Sequence, residues 1–403
     1  MRLCNIIVYM KKIITVLAAA IATVTVFSGC VKHPAEYEIY TNIPSELYEL
    51  KLEGFKVAQT VIGNVSAVEE GGAAENPSAY KSMGITYYDI MSTEATIVVS
   101  EDFTDEEAAK ARCTAFIESV KAKLLEIDKS LSVSVETSAV SSFNSAAAGA
   151  KIEIDEIAYN VFNSALEMYE FTEYYYNPAV YYSVEAYGFK SDSTRPETAA
   201  QLPSTEKIEK FKQLSTHFGE VKTYEEEGKF YVEKPQATVE IDGVEYSMKI
   251  DLGGIGKGYA VDVVNAMMDE SGFKYGNFDF GSSSIACKSH YKNGAYNLGF
   301  RNPRPSFFDE SYMSLKVKNE CISTSGDDVQ YYIIDGVRYC HVIDPTTGKP
   351  VNNGIMSATV IGGTAAAGDA LTTALMAMGK DKALNFIESK LQDVKVAFTY
   401  ENK

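Results

Sequence analysis

Apolar residues recur with a helical period in six stretches, over 105–127, 155–171, 204–214, 259–268, 365–378 and 382–391, so each is expected to bury one face as a helix. Thr104 is the expected cap of the first, and Pro203 with Ser204 opens the third. Shorter stretches rich in β-branched and aromatic residues read as strands: 95–99, 229–232, 237–241, 275–280, 284–287, 296–300, 314–317, 321–324, 329–334, 337–343, 357–361 and 394–399. Asp335-Gly336 between two of them is a hairpin signal, and 138–144 reads as a polar loop. Strands arrive in runs with helices at both ends. That order predicts an α+β fold, a mixed or antiparallel sheet body with flanking helices, and not a regular βαβ alternation.

The stretch 249–262, KIDLGGIGKGYAVD, reads as a strand (Ile250 and Leu252 alternating with polar neighbours) delivered into a turn of Gly253, Gly254, Gly256 and Gly258, and then a helix from Tyr259. Two readings stay open. The glycines could make a tight packing turn, or the helix start could turn its amides toward an anion. The spacing fits neither a P-loop, since no Ser or Thr follows Lys257, nor a dinucleotide fingerprint, since Tyr259 stands where a third Gly belongs.

Residues 1–29 differ from the rest. Lys11 and Lys12 precede an apolar run to Phe27, and Ser28-Gly29-Cys30 follows, which is an export signal that resembles the bacterial lipoprotein type. It implies cleavage before Cys30, a lipid on that Cys, and a protein anchored to the bacterial cell membrane on its periplasmic or extracytoplasmic face. Met1 and Met10 are both possible starts. Residues 30–85, with a Gly, Glu, Asn and Pro patch at 69–78, read as a linker or extension before a body at 86–403. At 403 residues with 46% hydrophobic composition the chain can bury a large core. Its net charge of −18 argues against a nucleic-acid partner. Cys113, Cys287, Cys321 and Cys340 have no zinc spacing and read as disulfide partners or buried thiols.

Asp369 and Thr373 stand four apart on one helix, hence on one face. A carboxylate and a hydroxyl there are hard ligands suited to Mg2+ or Ca2+, although Asp369 could also be a helix-dipole residue and Thr373 a packed one. His341 follows a strand beside a turn, where it could be a base, a donor or a structural residue. No Gly-x-Ser-x-Gly elbow is present.

Taken in order, DLGGIGKGYAVD (251–262), ISTSGD (322–327), HVIDPTTGKP (341–350) and GDALTTALMAMG (368–379) resemble the ApbE family, the FAD:protein FMN transferases. MST at 91–93, SAVSSFN at 138–144 and YYNPAV at 175–180 are weaker matches. The resemblance implies Mg2+-dependent transfer of FMN from FAD to a Thr or Ser hydroxyl of a target protein, with release of AMP; some members instead hydrolyse FAD to FMN and AMP. It further implies Asp369, Thr373 and the Gly254 carbonyl as metal ligands, and Met91, Asn144, Asn177, Asp251, Lys257 and His341 as FAD contacts. His341 and Asp369 are the two candidate bases. The chain departs from the usual pattern at Asn177, Ser282 and Ser283, so a flavin-binding lipoprotein with weakened chemistry is the second reading. A surface lipoprotein with only a binding or adhesive role is the third. Asp369 is expected to face solvent or ligand, so its removal should leave the fold intact.

Overall fold

The computed structural model describes residues 80–401 apart from 191 and 305–310, together with the backbone of three short strands at Tyr37–Thr41, Tyr48–Leu50 and Lys56–Gln59. The signal segment and Cys30 lie outside the described residues.

Nine of the described strands form the main sheet: β1 (Tyr37–Thr41), β2 (Lys56–Gln59), β3 (Tyr80–Ile90), β4 (Thr93–Asp102), β5 (Tyr275–Phe280), β6 (Ser284–Cys287), β7 (Glu320–Gly326), β8 (Ile355–Ile361) and β9 (Lys395–Glu401). Their spatial order is β2-β1-β9-β8-β7-β6-β5-β4-β3. Within this sheet β1 and β2 pair in parallel, and the other neighbours are antiparallel. The alternation of Ala95, Ile97 and Val99 turns one face of β4 to the core. By contrast β8 is buried at every position, because both faces of the sheet are covered there. The side opposite the helices is closed by a three-stranded sheet of Tyr296–Arg301, Ser311–Val317 and Tyr48–Leu50, whose Tyr312, Met313 and Leu315 join Ile322 and Ile361 in a second core.

The α-helices among the described residues are α1 (Glu106–Leu131), α2 (Ala139–Ser145), α3 (Glu156–Phe171), α4 (Tyr181–Ala186), α5 (Thr205–Ser215), α6 (Gly253–Glu270), α7 (Ala365–Met378) and α8 (Lys380–Lys390). Helices α1, α3, α6 and α7 share the main core with the sheet. The hairpin at Asp335-Gly336 is present, with both turn residues at positive φ.

Several local expectations change. Asp105, not Thr104, caps α1, accepting from the amides of Glu107 and Ala108 at 3.0 and 3.2 Å; a carboxylate there also meets the positive helix end. The expected polar loop at 138–144 is mostly α2, capped by Ser138 and buried through Ala139, Val140 and Phe143. The segment read as a spacer supplies β1, β2 and Tyr48–Leu50, and β3 starts at Tyr80, ahead of the boundary drawn at residue 86. All four described cysteines are buried free thiols. Among the described residues no helix is long and apolar enough to cross a membrane.

The glycine stretch differs most. Residues 250–252 join no strand, and α6 begins at Gly253, so the glycines form its first turns. None of the four has a positive φ. Their missing side chains serve close approach instead: a Cβ on Gly258 would overlap the Ala365 carbonyl and lie 2.6 Å from Ala366 Cα. Asp262, one turn on, accepts from the amides of Ala365 and Ala366 at 2.7 and 2.8 Å. The α6 and α7 backbones are thereby locked together, which fixes the first turns of α6 against the side chains of α7.

Candidate active site

Residues 250–252 deliver the chain into α6, and their position is set by an amide that imitates a neighbouring strand. Asn144 at the end of α2 donates from Nδ2 to the Ile250 carbonyl at 2.9 Å and accepts at Oδ1 from the Ile250 amide at 2.8 Å. Beneath it lies Lys234, 1% exposed, whose Nζ donates to the carbonyls of Phe143 and Ala146 at 2.9 and 2.7 Å. Burial, and then Lys249, pushes its pKa down to about 8. Lys234→Met should cost about 1–3 kcal/mol through the orphaned carbonyls. The unfolded lysine keeps its proton to about 10.4, so between pH 8 and that value the unfolded state binds more protons and this group adds stability as pH rises. Thermal melts at pH 7 and pH 10 should therefore show the wild type gaining on the variant at the higher pH.

Asp251 follows directly. Its carboxylate pairs with Lys190 and accepts from the Gly253 amide at 2.7 Å. Burial alone would raise its pKa, but Lys190, the Gly253 amide and Lys257 together hold it below the usual carboxylate value. The Asp251 amide donates to the Pro178 carbonyl at 3.0 Å. Neighbouring Asn177 is buried with both amide ends committed, Nδ2 to the Ser215 carbonyl at 3.1 Å and Oδ1 to the Ala179 amide at 2.9 Å. Asn144 and Asn177 thus hold the site's backbone.

On α7, Asp369 is 5% exposed. One oxygen accepts from the Gly258 amide at 2.7 Å and the other from Ser284 Oγ at 2.5 Å. It is not a first-turn residue, since α7 starts at Ala365 under the Thr364 cap, and of the two orientations expected, solvent or ligand, its burial excludes the first. Thr373 Oγ1 sits one turn on, 3.4 Å from Ser325 Oγ and 3.7 Å from where a Gly254 Cβ would lie. Of the expected trio, Gly254 and Thr373 therefore face each other across the α6–α7 contact, and the Asp369 carboxylate meets α6 at Gly258, one turn on. Among the described residues no group of three or more His, Cys, Asp or Glu could hold a metal ion; the trio offers one carboxylate, one hydroxyl and one carbonyl.

Lys257 reaches back to the Gly253 carbonyl at 2.8 Å and is near enough to His341 to disfavour its protonation. Burial is the larger cause, and the His341 pKa falls to about 4. Its Nδ1 is buried without a hydrogen-bond partner. Met91, at φ +48°, donates its amide to Asp128 at 3.1 Å. Its Cε lies 2.9 Å from a Cβ position on Gly256, across α6 from Gly254 by the helical period. The candidate site thus gathers Asp251, Gly254, Lys257, His341, Asp369 and Thr373, with the Met91 side chain on the Gly256 side of α6.

Sequence reasoning missed Lys190, Lys234, Ser284 and Tyr176. Tyr176 is 2% exposed, its ring edge would be 3.3 Å from a Gly254 Cβ, and its hydroxyl has no partner. Its place at 176, one before Asn177 in a matched motif, was the available signal. A cavity of about 930 Å³ lies elsewhere, at the far end of α6 beside Asp269, Lys274 and Lys288, and includes none of these residues.

The ApbE family profile matches residues 91–398, and the chain belongs to that family. A Vibrio cholerae relative named FAD:protein FMN transferase is 34% identical over 142 residues, which is 35% of this chain and 42% of that protein. A Buchnera aphidicola protein of the same name is 27% identical over 264 residues, 66% of this chain and 73% of the relative. The solved structure of flavin transferase ApbE from Vibrio cholerae superposes with a TM-score of 0.61 over 81% of this chain and 98% of that one, at 22% identity, and shares the fold.

Proposed function

We propose that this protein transfers FMN from FAD to a Thr or Ser hydroxyl of a target protein and releases AMP. The observation that carries the reading is the α6–α7 contact that sets Thr373 against Gly254 and the Asp369 carboxylate against Gly258, in a chain whose family relatives are named FAD:protein FMN transferase. The acceptor oxygen forms a bond to the FMN phosphorus, the bond from that phosphorus to the bridging oxygen breaks, and the bridging oxygen leaves with AMP. The hydroxyl proton goes to a base.

The trio's hard oxygens fit Mg2+, with each Asp369 oxygen accepting only one hydrogen bond and so keeping a lone pair free. Bound there, Mg2+ would neutralise pyrophosphate charge and polarise the phosphorus–oxygen bond. The N-terminus of α6 presents a positive helix end to the same anion, and Lys257, held to the Gly253 carbonyl, adds a positive charge. His341 is favoured as the base over Asp369: its Nδ1 is unpartnered, whereas both Asp369 oxygens already accept. With a pKa of about 4 the histidine is neutral across the physiological range, its lone pair free but no more basic than a carboxylate. The pH profile of kcat/KM, which reports the free enzyme, should accordingly show no histidine limb near 6.5; an acid limb there would show that the His341 pKa is not depressed in the working enzyme.

The full-length protein with FAD, Mg2+ and a Ser- or Thr-containing acceptor flavoprotein should yield equal amounts of AMP and protein-bound FMN. Free FMN in place of protein-bound FMN would make it a hydrolase, and intact bound FAD a carrier. The sequence around Cys30 supports a lipid-anchored protein outside the cytoplasm. Labelling with a fatty acid should be lost in Cys30→Ala.

A further inference from the structure

We infer that Tyr176 is a further catalytic residue, whose hydroxyl donates a hydrogen bond to a pyrophosphate oxygen of the bound dinucleotide. The inference rests on the function proposed above and adds a residue to that site. Tyr176 ends a short link after α3; its amide donates to Thr172 Oγ1 at 3.0 Å and its ring packs in the main core. The ring edge faces Gly254, whose lack of a Cβ leaves room for it. The hydroxyl is thereby buried within the charge fields of both Asp369 and Asp251, yet it bonds to neither.

A buried hydroxyl without a partner is costly, and native proteins rarely keep one unless a ligand or water completes it. A phenol hydroxyl is a hydrogen-bond donor across the physiological range. What it lacks is an acceptor. A phosphate oxygen beside Gly254 and Thr373 supplies one, and the bond strengthens as charge gathers on the departing phosphate.

Tyr176→Phe removes only the oxygen. If the hydroxyl waits for substrate, the unliganded Phe variant should melt at or above the wild-type temperature, since no protein partner is lost. Its kcat for AMP release should fall roughly ten- to a hundredfold, the range for a hydrogen bond to a charged group, and calorimetry should show weaker FAD binding. A Phe variant with wild-type kcat, KM and FAD affinity would overturn the inference while leaving the proposed function standing. A variant that melts several degrees lower, with activity restored at reduced temperature, would also overturn it, by making the hydroxyl a structural group. Should the wild type neither bind nor cleave FAD, both readings fail together.

Discussion

Asp369→Ala should abolish AMP release at ordinary Mg2+ and also lower the melting temperature. The carboxylate supplies the only formal charge in the proposed metal set of Gly254, Asp369 and Thr373, and charge stabilisation by a catalytic metal is worth several kcal/mol, so a loss of roughly a thousandfold in kcat/KM is expected. The structural cost has a separate cause. Asp369 is buried and accepts from the Gly258 amide and from Ser284 Oγ; truncation leaves two buried donors unpaired at about 1–3 kcal/mol each. Thr373→Val separates the two effects. Its hydroxyl returns to the Asp369 carbonyl of its own helix at 3.2 Å and touches Ser325 at 3.4 Å, so its loss should barely change the melt. It should instead raise the Mg2+ concentration for half-maximal activity, with rescue by excess metal. Activity against Mg2+ and thermal melts on both variants decide the matter. An Asp369→Ala enzyme with an ordinary Mg2+ titration would remove the proposed metal site.

That double role for Asp369 illustrates what a linear sequence hides. The four-residue spacing to Thr373 was legible because it depends only on the helical period. The burial was not, because it depends on α6 arriving from more than a hundred residues earlier. The glycine stretch divides in the same way. Four glycines in six positions marked it as special, but low intrinsic helix propensity favours a turn, and only the contact with α7 shows why helix wins. The ordered motifs pointed to Asp251, Lys257 and His341, and Lys257 lies within electrostatic reach of both others, while the Met91 side chain meets α6 at Gly256. Lys190 had no local signal, since its ion pair with Asp251 joins residues that no pattern connects. Three buried apolar residues were too few to reveal α2 inside a serine-rich run.

Gly258→Ala should be among the most destabilising single-methyl changes in the chain, although helix propensity alone predicts a gain of up to about 1 kcal/mol. The added Cβ would meet the carbonyl of Ala365 and the Cα of Ala366, both backbone, so no rotamer change can relieve it. Helices α6 and α7 would have to separate. That separation strains three hydrogen bonds that cross the contact: the Gly258 amide to Asp369, and the amides of Ala365 and Ala366 to Asp262. Overpacking of this kind typically costs 1–3 kcal/mol, and the strained bonds place the expected loss at the upper end, about 3 kcal/mol. Because Asp369 moves with α7, turnover should fall as well, even at temperatures where the variant remains folded. Gly256→Ala is the matched control. Its Cβ would meet the Met91 Cε at 2.9 Å, the far end of a flexible side chain that can turn aside, so stability there should change little and helix propensity partly compensates. Denaturant titrations of both variants test the difference. Should Gly258→Ala prove as stable as Gly256→Ala, the close contact between α6 and α7 would not be what fixes the position of Asp369.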